Sequence, residues 1–505
     1  MKGEEKTGKK NKKNKKNFNL YDLVDYENNN FCEDYIGDMR DISHGINNNE
    51  ITSIEINNKL LTGKMYSTYK KNIDFSEIVD FFLKTREILC KNNKLIIYKS
   101  EEGYWKTIEE GSEILELNRY IELETRKRIP EKIMQEVVKK LKNEPSINKR
   151  DDEFNSNENL VNCKNGVLNI LTGTLTEHDY KYLFTYCINA NYLEEINDYE
   201  LNNVYYKNFY NYCKSTFGED YKKVKFLLEI IGYLISDINR CKKAFIFVGK
   251  PHSGKSLLTR IIIKLIGEKN VSNVPFNKLG DRFSKAEFST HKININAEMN
   301  TMPIKNIETF KALVGNDYIS AEYKGKPLFN FKSKIKLLFC GNSMPEIKDI
   351  ECTEAFVDRL LFLVFPKSVN REKMDYKLEE KLEKELDYIF TLAMESLQKL
   401  MERNYDFTLP DDSKKFEMDY RNSQNHINDF INDCCELGET KRIHTTTLYS
   451  IYIKFCKNNC ISPYKQRCFG EYINNIEGVE RGKFRLNGKN LRGFIGISIK
   501  NQYIL

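Results

Sequence analysis

One segment of this chain constrains its fold more than any other: an apolar run, a loop bracketed by two glycines, and a lysine followed by a serine. Residues 244–256 read AFIFVGKPHSGKS. The apolar run has the composition of a buried parallel strand, and the loop fits the phosphate-binding pattern G-x-x-x-x-G-K-S. Residues 257–266 contain neither glycine nor proline, which favours a helix with its positive N-terminal end at the loop. The segment therefore predicts a nucleoside triphosphate site.

Each part of the loop has a predicted role in holding ATP and Mg²⁺. Gly249 and Gly254 let the backbone curl until its N–H groups converge on phosphate oxygens. Lys255 can reach the β- and γ-phosphates, and the Ser256 hydroxyl can bind Mg²⁺. The predicted nucleotide-binding residues are Gly249, Lys250, Pro251, His252, Ser253, Gly254, Lys255 and Ser256.

Three polar residues downstream have the positions expected of hydrolytic partners. Glu298 follows the apolar alternation in HKININAEMN, where a carboxylate can orient the attacking water and bind Mg²⁺. Asn342 ends the apolar strand KIKLLFCGN, and its amide can contact both the γ-phosphate and the water. Arg359 in FVDRLLFLVF suits an arginine finger that acts from a neighbouring subunit. Taken singly, Glu298 also fits an ordinary strand end and Arg359 a partner of Asp358; their order after Lys255 indicates an ATPase.

The positive charge of the chain is concentrated at its start. Formal net charge is +7, from 80 Lys and Arg against 73 Asp and Glu, and the first 16 residues hold eight Lys and two Glu, which is +6. We expect residues 1–74 to form a disordered Lys/Asn-rich tail and linker. No apolar run reaches the length of a membrane span, and the first residues lack the apolar core of a secretion signal. A cytoplasmic protein without membrane contact is therefore expected.

Composition divides the remaining residues into four parts. We expect an α+β N-terminal domain at 75–240, a P-loop ATPase core at 241–370, a helical lid or linker at 371–415 and a winged-helix domain at 416–505. In the first part a helix is predicted at 78–92. It is followed by the strand pair KLIIYKSEEGYW and by the hairpin LVNCKNGVLNILTGTL around an Asn-Gly turn. The predicted fold class is α/β.

In their order and spacing, these elements resemble the superfamily III helicases of viruses and mobile elements. More closely they resemble the helicase part of phage and plasmid primase-helicases and the poxvirus-type nucleoside triphosphatase. The resemblance covers about residues 75–505, and further matching segments are NCKNGVLNILTG, DRFSKAEF, FKALVGNDYISAEYKGK and KLEEKLEKELDYIFTLAMESLQKLM. It implies an AAA+-like α/β core, a ring that is usually hexameric, and ATP-driven strand separation during replication of the element.

The chain departs from the family's pattern at two places. The usual tandem acidic pair is here Ala297–Glu298, so Glu298 carries that role alone. Relatives often show paired arginines where this chain has the single Arg359, between Asp358 and Leu360. The arginine finger therefore depends on one residue.

A basic turn is the first candidate for DNA contact. Lys324 and Lys326 flank Gly325, with Tyr323 beside them; such lysines suit backbone phosphates, and a tyrosine can stack on an unpaired base. From the residues alone, a solvated hairpin tip is the plainer interpretation. In the family, the matching segment leads into a hairpin that lines the ring pore and touches single-stranded DNA, which favours DNA contact here.

The C-terminal residues form the second candidate. Helices are predicted at about 425–437, 445–459 and 464–476, followed by RGKFRLNGKNLR, which has five basic residues and no acidic one. Three helices and a basic β-loop describe a winged helix, a fold that also binds proteins. The predicted DNA-binding residues here are Lys465 and Arg467 at the start of the third helix, and Arg481, Lys483 and Arg485 in the loop.

Together these patterns predict an ATP-dependent replicative DNA helicase of a virus, phage or plasmid-like element, acting as a ring on single-stranded and forked DNA. No D-x-D pair occurs in the first 240 residues, whereas polymerisation needs such carboxylates to hold two metal ions; a separate primase or polymerase would supply primers. Two alternatives stay open. One is an origin-binding initiator that uses ATP only to assemble. The other, a P-loop kinase of a small molecule, is disfavoured because the chain offers a basic loop and a basic wing in place of an acceptor pocket.

Overall fold

The structure is a computed structural model that describes most of the chain from Phe75 onward. The described residues are 75–85, 87–125, 128–194, 207–299, 307–345, 347, 353–369, 372, 374–424, 426–459, 461–486 and 488–500. The predicted tail and linker at 1–74 lie outside these ranges.

The helices and strands are numbered here in chain order. The helices are α1 Phe75–Thr85, α2 Glu113–Thr125, α3 Glu131–Lys142, α4 Lys207–Phe217, α5 Tyr221–Ile235, α6 Lys255–Ile266, α7 Ser284–Glu287, α8 Ile307–Gly315, α9 Thr353–Val357, α10 Leu378–Glu383, α11 Leu386–Glu402, α12 Asp411–Ser423, α13 His426–Cys434, α14 Thr445–Asn458 and α15 Gln466–Asn474. The strands are β1 Ile88–Lys91, β2 Lys94–Lys99, β3 Tyr104–Thr107, β4 Asn148–Lys149, β5 Leu160–Cys163, β6 Gly166–Asn169, β7 Thr174–Thr176, β8 Ala244–Gly249, β9 Val271–Ser272, β10 Ile293–Asn296, β11 Tyr318–Ala321, β12 Phe329–Lys332, β13 Lys336–Gly341, β14 Leu360–Phe365, β15 Cys435–His444, β16 Glu480–Leu486 and β17 Lys489–Ile499.

The chain divides into two compact units. Of the described residues, one unit contains 75–76 with Leu115–Met134, and the other contains Glu77–Ile114 with those from Gln135 onward. In the first unit, the side chain of Asn118 accepts a hydrogen bond from the backbone N–H of Ile129 at 2.9 Å. This bond ties the segment after α2 back onto the helix.

A parallel sheet forms the centre of the second unit. Its strand order is β14-β8-β13-β10-β9, and each neighbouring pair is parallel. In the register of β14 against β8, Leu360 pairs with Ala244 and Phe365 pairs with Gly249. The carboxyl ends of the strands therefore meet at one edge, which is where ligands bind in open α/β sheets.

Helices cover both faces of this sheet, as the apolar composition of its strands requires. Phe245 and Phe247 of β8 pack into the core that includes residues of α5, α6 and α11. Ile246 and Val248 point the other way, into the core formed with α8, α9 and Tyr420 of α12. The alternation along one strand thus places two helical layers around the sheet.

Two buried lysines anchor helix α5 to the amino-terminal edge of the sheet. Nζ of Lys292 and Nζ of Lys336 donate to the carbonyl oxygen of Ser236, the C-cap residue that follows α5, at 2.9 and 2.7 Å. Lys292 also pairs with Asp237 at 2.6 Å. Burial lowers the pKa of both lysines. A cation at a helix C-terminus satisfies carbonyl groups that lack an intrahelical donor.

The residues before the central sheet mix helices and small sheets. One sheet has the order β3-β2-β1-β4 and another the order β5-β6-β7, so the predicted strand pair and the Asn-Gly hairpin are present. The helix predicted at 78–92 was too long. It ends at Thr85, and Ile88–Lys91 forms a strand, because Leu89 and Cys90 pair with Ile96 and Leu95 of β2 in an antiparallel hairpin.

The C-terminal residues combine α13, α14 and α15 with an antiparallel sheet of order β15-β17-β16. The helix predicted at 425–437 was also too long. It ends at Cys434, and Cys435–His444 forms a strand, since its backbone groups pair with β17. Cys434, Cys435 and Cys456 are buried in the core of this part. Within the described ranges, no helix combines the length and apolar character needed to cross a bilayer.

Candidate nucleotide site and nucleic-acid surfaces

The loop between β8 and α6 has the geometry of an anion cradle. Gly254 precedes the first helical residue with φ 94°, and no described side chain caps α6. The N–H groups of the first helical turn are therefore free for an anion. At Gly249 a Cβ atom would lie 2.2 Å from the carbonyl oxygen of Phe365, so only glycine allows β8 and β14 to approach this closely.

Lys255 lies buried beneath the loop. Its Nζ donates to the carbonyl oxygens of Gly249 and Lys250, both at 2.7 Å, and to Oγ of Ser253 at 3.1 Å. Burial lowers the pKa of Lys255, because a charged amine is poorly solvated there. Among the described residues, no carboxylate lies within ion-pair distance of this lysine. A bound polyphosphate would supply the missing negative charge.

The structure brings Asn342 to Lys255. The exposed Asn342 directly follows β13, and its Oδ1 lies 3.4 Å from Nζ of Lys255. Glu298 is exposed just beyond β10, and the N–H of the next residue, Met299, donates to the carbonyl oxygen of Cys340 on β13 at 2.6 Å. Both predicted partners therefore lie at the carboxyl edge of the sheet. Asn342 follows β13, which is next to β8, and Glu298 follows β10, which is next to β13.

Arg359 lies at the opposite edge. It precedes Leu360, which pairs with the first residue of β8, whereas Gly249 pairs with the last residue of β14. At the strand rise of about 3.3 Å per residue, the two edges are roughly 17 Å apart. Arg359 therefore does not belong to the nucleotide site of its own chain.

The side chain of Arg359 has few partners. Its Nη1 donates to the carbonyl oxygen of Ala355 at 2.5 Å, and its Nε is buried without a hydrogen-bond partner in the described part of the chain. The neighbouring Asp358 does not pair with it; Oδ1 of Asp358 accepts from Arg421 at 2.9 Å. A half-buried guanidinium that pairs with no carboxylate in the described ranges is available to an external anion.

Three residues that sequence reasoning missed also contact the loop. The hydroxyl of Tyr212 on α4 donates to the carbonyl oxygen of Gly254 at 3.1 Å. Oγ of Ser368 donates to the carbonyl oxygen of Pro251 at 2.8 Å, and the N–H of Val369 to that of His252 at 2.9 Å. Nothing in the sequence marks these residues, because each lies far from the loop and Tyr212 belongs to an ordinary apolar helix face.

Mg²⁺ ligands are offered by two residues at the carboxyl edge. Ser256 lies exposed in the first turn of α6, and Glu298 is exposed at the end of β10. Hydroxyl and carboxylate oxygens are the ligands that Mg²⁺ prefers. No cluster of three or more His, Cys, Asp or Glu side chains is arranged for a metal ion in the described ranges, so a metal here would also need oxygens from the nucleotide and from water.

The basic turn is the tip of the hairpin β11–β12. Lys324 and Lys326 are both exposed, but Nζ of Lys326 pairs with Glu110 at 2.8 Å. This hydrogen bond raises the pKa of Lys326 and lowers that of Glu110. The ring of Tyr323 stacks on Phe329 with centroids 5.4 Å apart. Lys324 is thus the freer of the two predicted DNA contacts.

The predicted C-terminal contacts form two groups. Arg481, Lys483 and Arg485 alternate along β16 and are exposed, and Lys483 lies opposite Arg492 of β17. Like charges opposite each other on two strands repel, which favours a polyanion between them. The second group is at the start of α15, where the exposed Lys465 precedes the helix and Arg467 pairs with Glu471 at 3.0 Å.

Three known families match parts of the chain. Residues 78–225 match the family described as D5 N terminal like, and residues 422–496 match that described as Poxvirus D5 protein-like. Residues 247–355, which include the phosphate loop and most of the central sheet, match a family of unknown function, DUF5906. No curated protein matches the chain.

Solved structures of the C-terminal region of NrS-1 also match. An apo structure of residues 305–718 of that protein has 13% identity and a TM-score of 0.45, over 84% of this chain and 100% of that one. An apo structure of its A form has 12% identity and a TM-score of 0.44, over 83% and 98%. Two of the three family matches are of the D5 type, and they lie before and after the candidate nucleotide site in the sequence. The chain is therefore similar to D5-type proteins in both of these regions.

Proposed function

We propose that this chain is an ATP-dependent replicative DNA helicase of a virus, phage or plasmid-like element, working as a homo-oligomeric ring that is expected to be a hexamer. The observation that carries the proposal is the carboxyl edge of the sheet. Lys255 is buried beneath the loop there, Asn342 lies 3.4 Å from its Nζ, and Glu298 is exposed at the end of β10, while no described side chain caps the helix that follows the loop. The D5-like matches on both sides support a role in replication of the primase-helicase type. An AAA+-like core with a C-terminal winged helix is the architecture that fits.

ATP hydrolysis would use the residues of this edge in separate roles. The loop N–H groups and Lys255 bind the phosphates. Glu298 accepts a proton from the attacking water, and Asn342 orients that water against the γ-phosphate. Ser256 and Glu298 would hold Mg²⁺, which when bound offsets the negative charge of the β- and γ-phosphates.

A neighbouring subunit would complete the site. Arg359 lies at the far edge of its own sheet and has a guanidinium without a described carboxylate partner. In a ring of like subunits, that edge of one chain can face the phosphate loop of the next, and an arginine there would stabilise the charge of the transition state.

Nucleic acid would bind at the hairpin and at the C-terminal sheet. The hairpin offers Lys324 and Lys326, and the C-terminal part offers Arg481, Lys483 and Arg485 with Lys465 and Arg467. Lysine and arginine on exposed turns and strands contact backbone phosphates without reading bases. Hydrolysis would move the hairpin and pull single-stranded DNA through the ring.

The test is ATP-dependent unwinding of 3′- and 5′-tailed forks. The purified chain should unwind one of them and hydrolyse ATP faster with single-stranded DNA, and Lys255→Ala should abolish both activities. Lys264→Ala is the matched control, because Lys264 lies on the same helix and pairs with Glu383 on the surface. Normal turnover by Lys255→Ala would refute the proposal. Equal ATPase rates with and without DNA, and no unwinding, would instead support the origin-binding initiator.

A further inference from the structure

A second arginine contacts the residue next to Arg359, although it follows much later in the sequence. Arg421 on α12 donates through Nη1 to Glu354 and through Nη2 to Asp358 and Glu417, the last two at 2.9 Å. Glu354 and Asp358 are also the described acidic side chains nearest to Arg359 along the chain. Arg421 therefore binds both of these carboxylates.

The backbone around Arg359 is fixed independently of Arg421. The N–H of Ala244 donates to the carbonyl oxygen of Arg359 at 2.8 Å, and the N–H of Arg359 to that of Phe356 at 3.0 Å. Nζ of Lys243 donates to the carbonyl oxygen of Asp358. If Arg421 were removed, Asp358 would keep its place beside Arg359, and the nearby cations left for its carboxylate would be Arg359 and Lys243.

Helix α12 is likewise held without Arg421. The ring of Phe362 on β14 lies 5.1 Å from that of Phe416 and 6.1 Å from that of Tyr420. The hydroxyl of Tyr420 donates to the carbonyl oxygen of Pro345 at 2.8 Å. These apolar contacts and this hydrogen bond seat the helix on the sheet through groups that Arg421 does not supply.

We propose that Arg421 is a positioning residue that binds Glu354 and Asp358 and thereby keeps the guanidinium of Arg359 unpaired for the polyphosphate of a neighbouring chain. This inference rests on the proposed role of Arg359 across the subunit interface. It also accounts for the single arginine in the sequence motif, since the second arginine acts from α12 on the carboxylates instead of on the phosphate.

The test measures DNA-stimulated ATPase of the full chain. Arg421→Ala should lower kcat by about tenfold or more, against the roughly thousandfold expected for Arg359→Ala, with KM for ATP within about twofold. Adding Glu354→Gln and Asp358→Asn to Arg421→Ala should restore kcat to within about threefold of the wild type, because neither of these two side chains can then bind Arg359 as a carboxylate. Arg421→Lys keeps a cation beside both carboxylates and should lose little activity.

The outcomes separate this inference from the proposed function. Arg240→Ala is the matched control, since Arg240 forms an exposed ion pair with Glu158 at 2.9 Å, and it should keep the wild-type kcat. A loss in Arg421→Ala that the two neutralising substitutions do not rescue would mean a merely structural role and would overturn the inference. If Arg421→Ala kept full activity while Arg359→Ala was inactive, the inference about Arg421 would be overturned and the proposed role of Arg359 would stand. Full activity of Arg359→Ala would overturn the proposed role of Arg359 as well.

Discussion

At the scale of single residues, the phosphate loop depends on side chains that hold its backbone from outside. Tyr212 is buried in the core of the sheet's α6 side, and its hydroxyl donates to the carbonyl oxygen of Gly254. A Cβ atom at Gly254 would lie 3.0 Å from the tyrosine ring. The ring fills the space behind the loop, and the hydroxyl fixes the peptide that turns into α6.

Tyr212→Phe should weaken ATP binding by about fivefold, since a net hydrogen bond contributes about 1 kcal/mol. The phenyl ring keeps the packing, so thermal stability should change little. Titration calorimetry with ATP measures the effect. Tyr233→Phe is the matched control: Tyr233 is equally buried, but its hydroxyl accepts from the N–H of Cys241, and ATP affinity should stay unchanged. Equal affinities for the wild type and Tyr212→Phe would contradict the role of the hydroxyl.

At the scale of elements, the hairpin β11–β12 carries a basic tip that is partly neutralised within the chain. Lys326 and Glu110 form an exposed ion pair, and such pairs exchange readily for other ions. A nucleic-acid phosphate would compete with Glu110 for the same amine. The ion pair must therefore break before Lys326 can bind a phosphate, which lowers the affinity of this tip for DNA.

Glu110→Gln and Lys326→Gln should change the affinity for single-stranded DNA in opposite directions. The first frees an amine and should strengthen binding. The second removes one phosphate contact. The plot of the logarithm of the association constant against the logarithm of salt concentration should then be less steep by about 0.7. Fluorescence anisotropy with a labelled oligonucleotide over a salt series measures both. Glu268→Gln is the control, because it neutralises an acidic residue that does not pair with the hairpin, and it should match the wild type. Weaker binding by Glu110→Gln would rule out competition.

A second element-scale feature is the histidine at the start of α13. The His426 ring stacks on Tyr464 with centroids 4.5 Å apart, and its Nδ1 lies 3.1 Å from the hydroxyl of Tyr452. Burial lowers the pKa of His426 to about 4 from its ordinary 6.5. The C-terminal core is therefore built around a neutral imidazole.

Acidification should destabilise the C-terminal part. Between pH 6.5 and about 4, the unfolded chain binds a proton at His426 and the folded chain does not, so stability falls as pH decreases through this window. Hydrogen exchange of peptides within 426–474, measured by mass spectrometry, should show the loss. In His426→Phe, which keeps the stack, the difference between pH 6.5 and 4 should shrink, whereas His291→Gln should behave as the wild type. An unchanged difference in His426→Phe would contradict the assignment.

At the scale of the whole molecule, the two halves of the proposed site lie at opposite edges of one sheet. Lys255, Asn342 and Glu298 are at the carboxyl edge, and Arg359 is at the amino edge. A single chain cannot bring both halves together without unfolding its sheet. Hydrolysis should therefore require assembly, which is a consequence of strand register.

Two inactive variants should restore each other's activity. Chains with Glu298→Gln supply an intact Arg359, and chains with Arg359→Ala supply an intact Glu298, so mixing them creates some complete sites at the interfaces. ATPase assays of mixtures at varied ratios, checked by particle images for ring formation, measure the effect. The control mixes Glu298→Gln chains with chains that carry both Lys255→Ala and Arg359→Ala. It should stay inactive, because neither chain then has an intact phosphate-binding and catalytic edge. No recovery in the first mixture would contradict the trans role.

Much of the fold could be predicted because its signals are local. The apolar run before Gly249, the glycine-poor segment after Lys255 and the Asn-Gly turn at 165–166 each specify their own structure within a few residues. The errors came at element ends. Ile88–Lys91 and Cys435–His444 are strands because their backbone groups pair with β2 and β17. The helical periodicity of a segment contains no information about such partner strands, so a prediction from periodicity misses them.

The sequence by itself determined the chemistry that this chain can offer: a phosphate loop, a carboxylate and an amide at strand ends, and clusters of lysine and arginine. Only the tertiary structure decided which of these groups meet. It places Asn342 in contact with Lys255 and Tyr212 in contact with the loop. It also pairs Lys326 with Glu110, and Asp358 with Arg421. The physical reason is that these contacts join residues far apart in the chain, and their meeting depends on strand order and register, which no short segment of sequence contains.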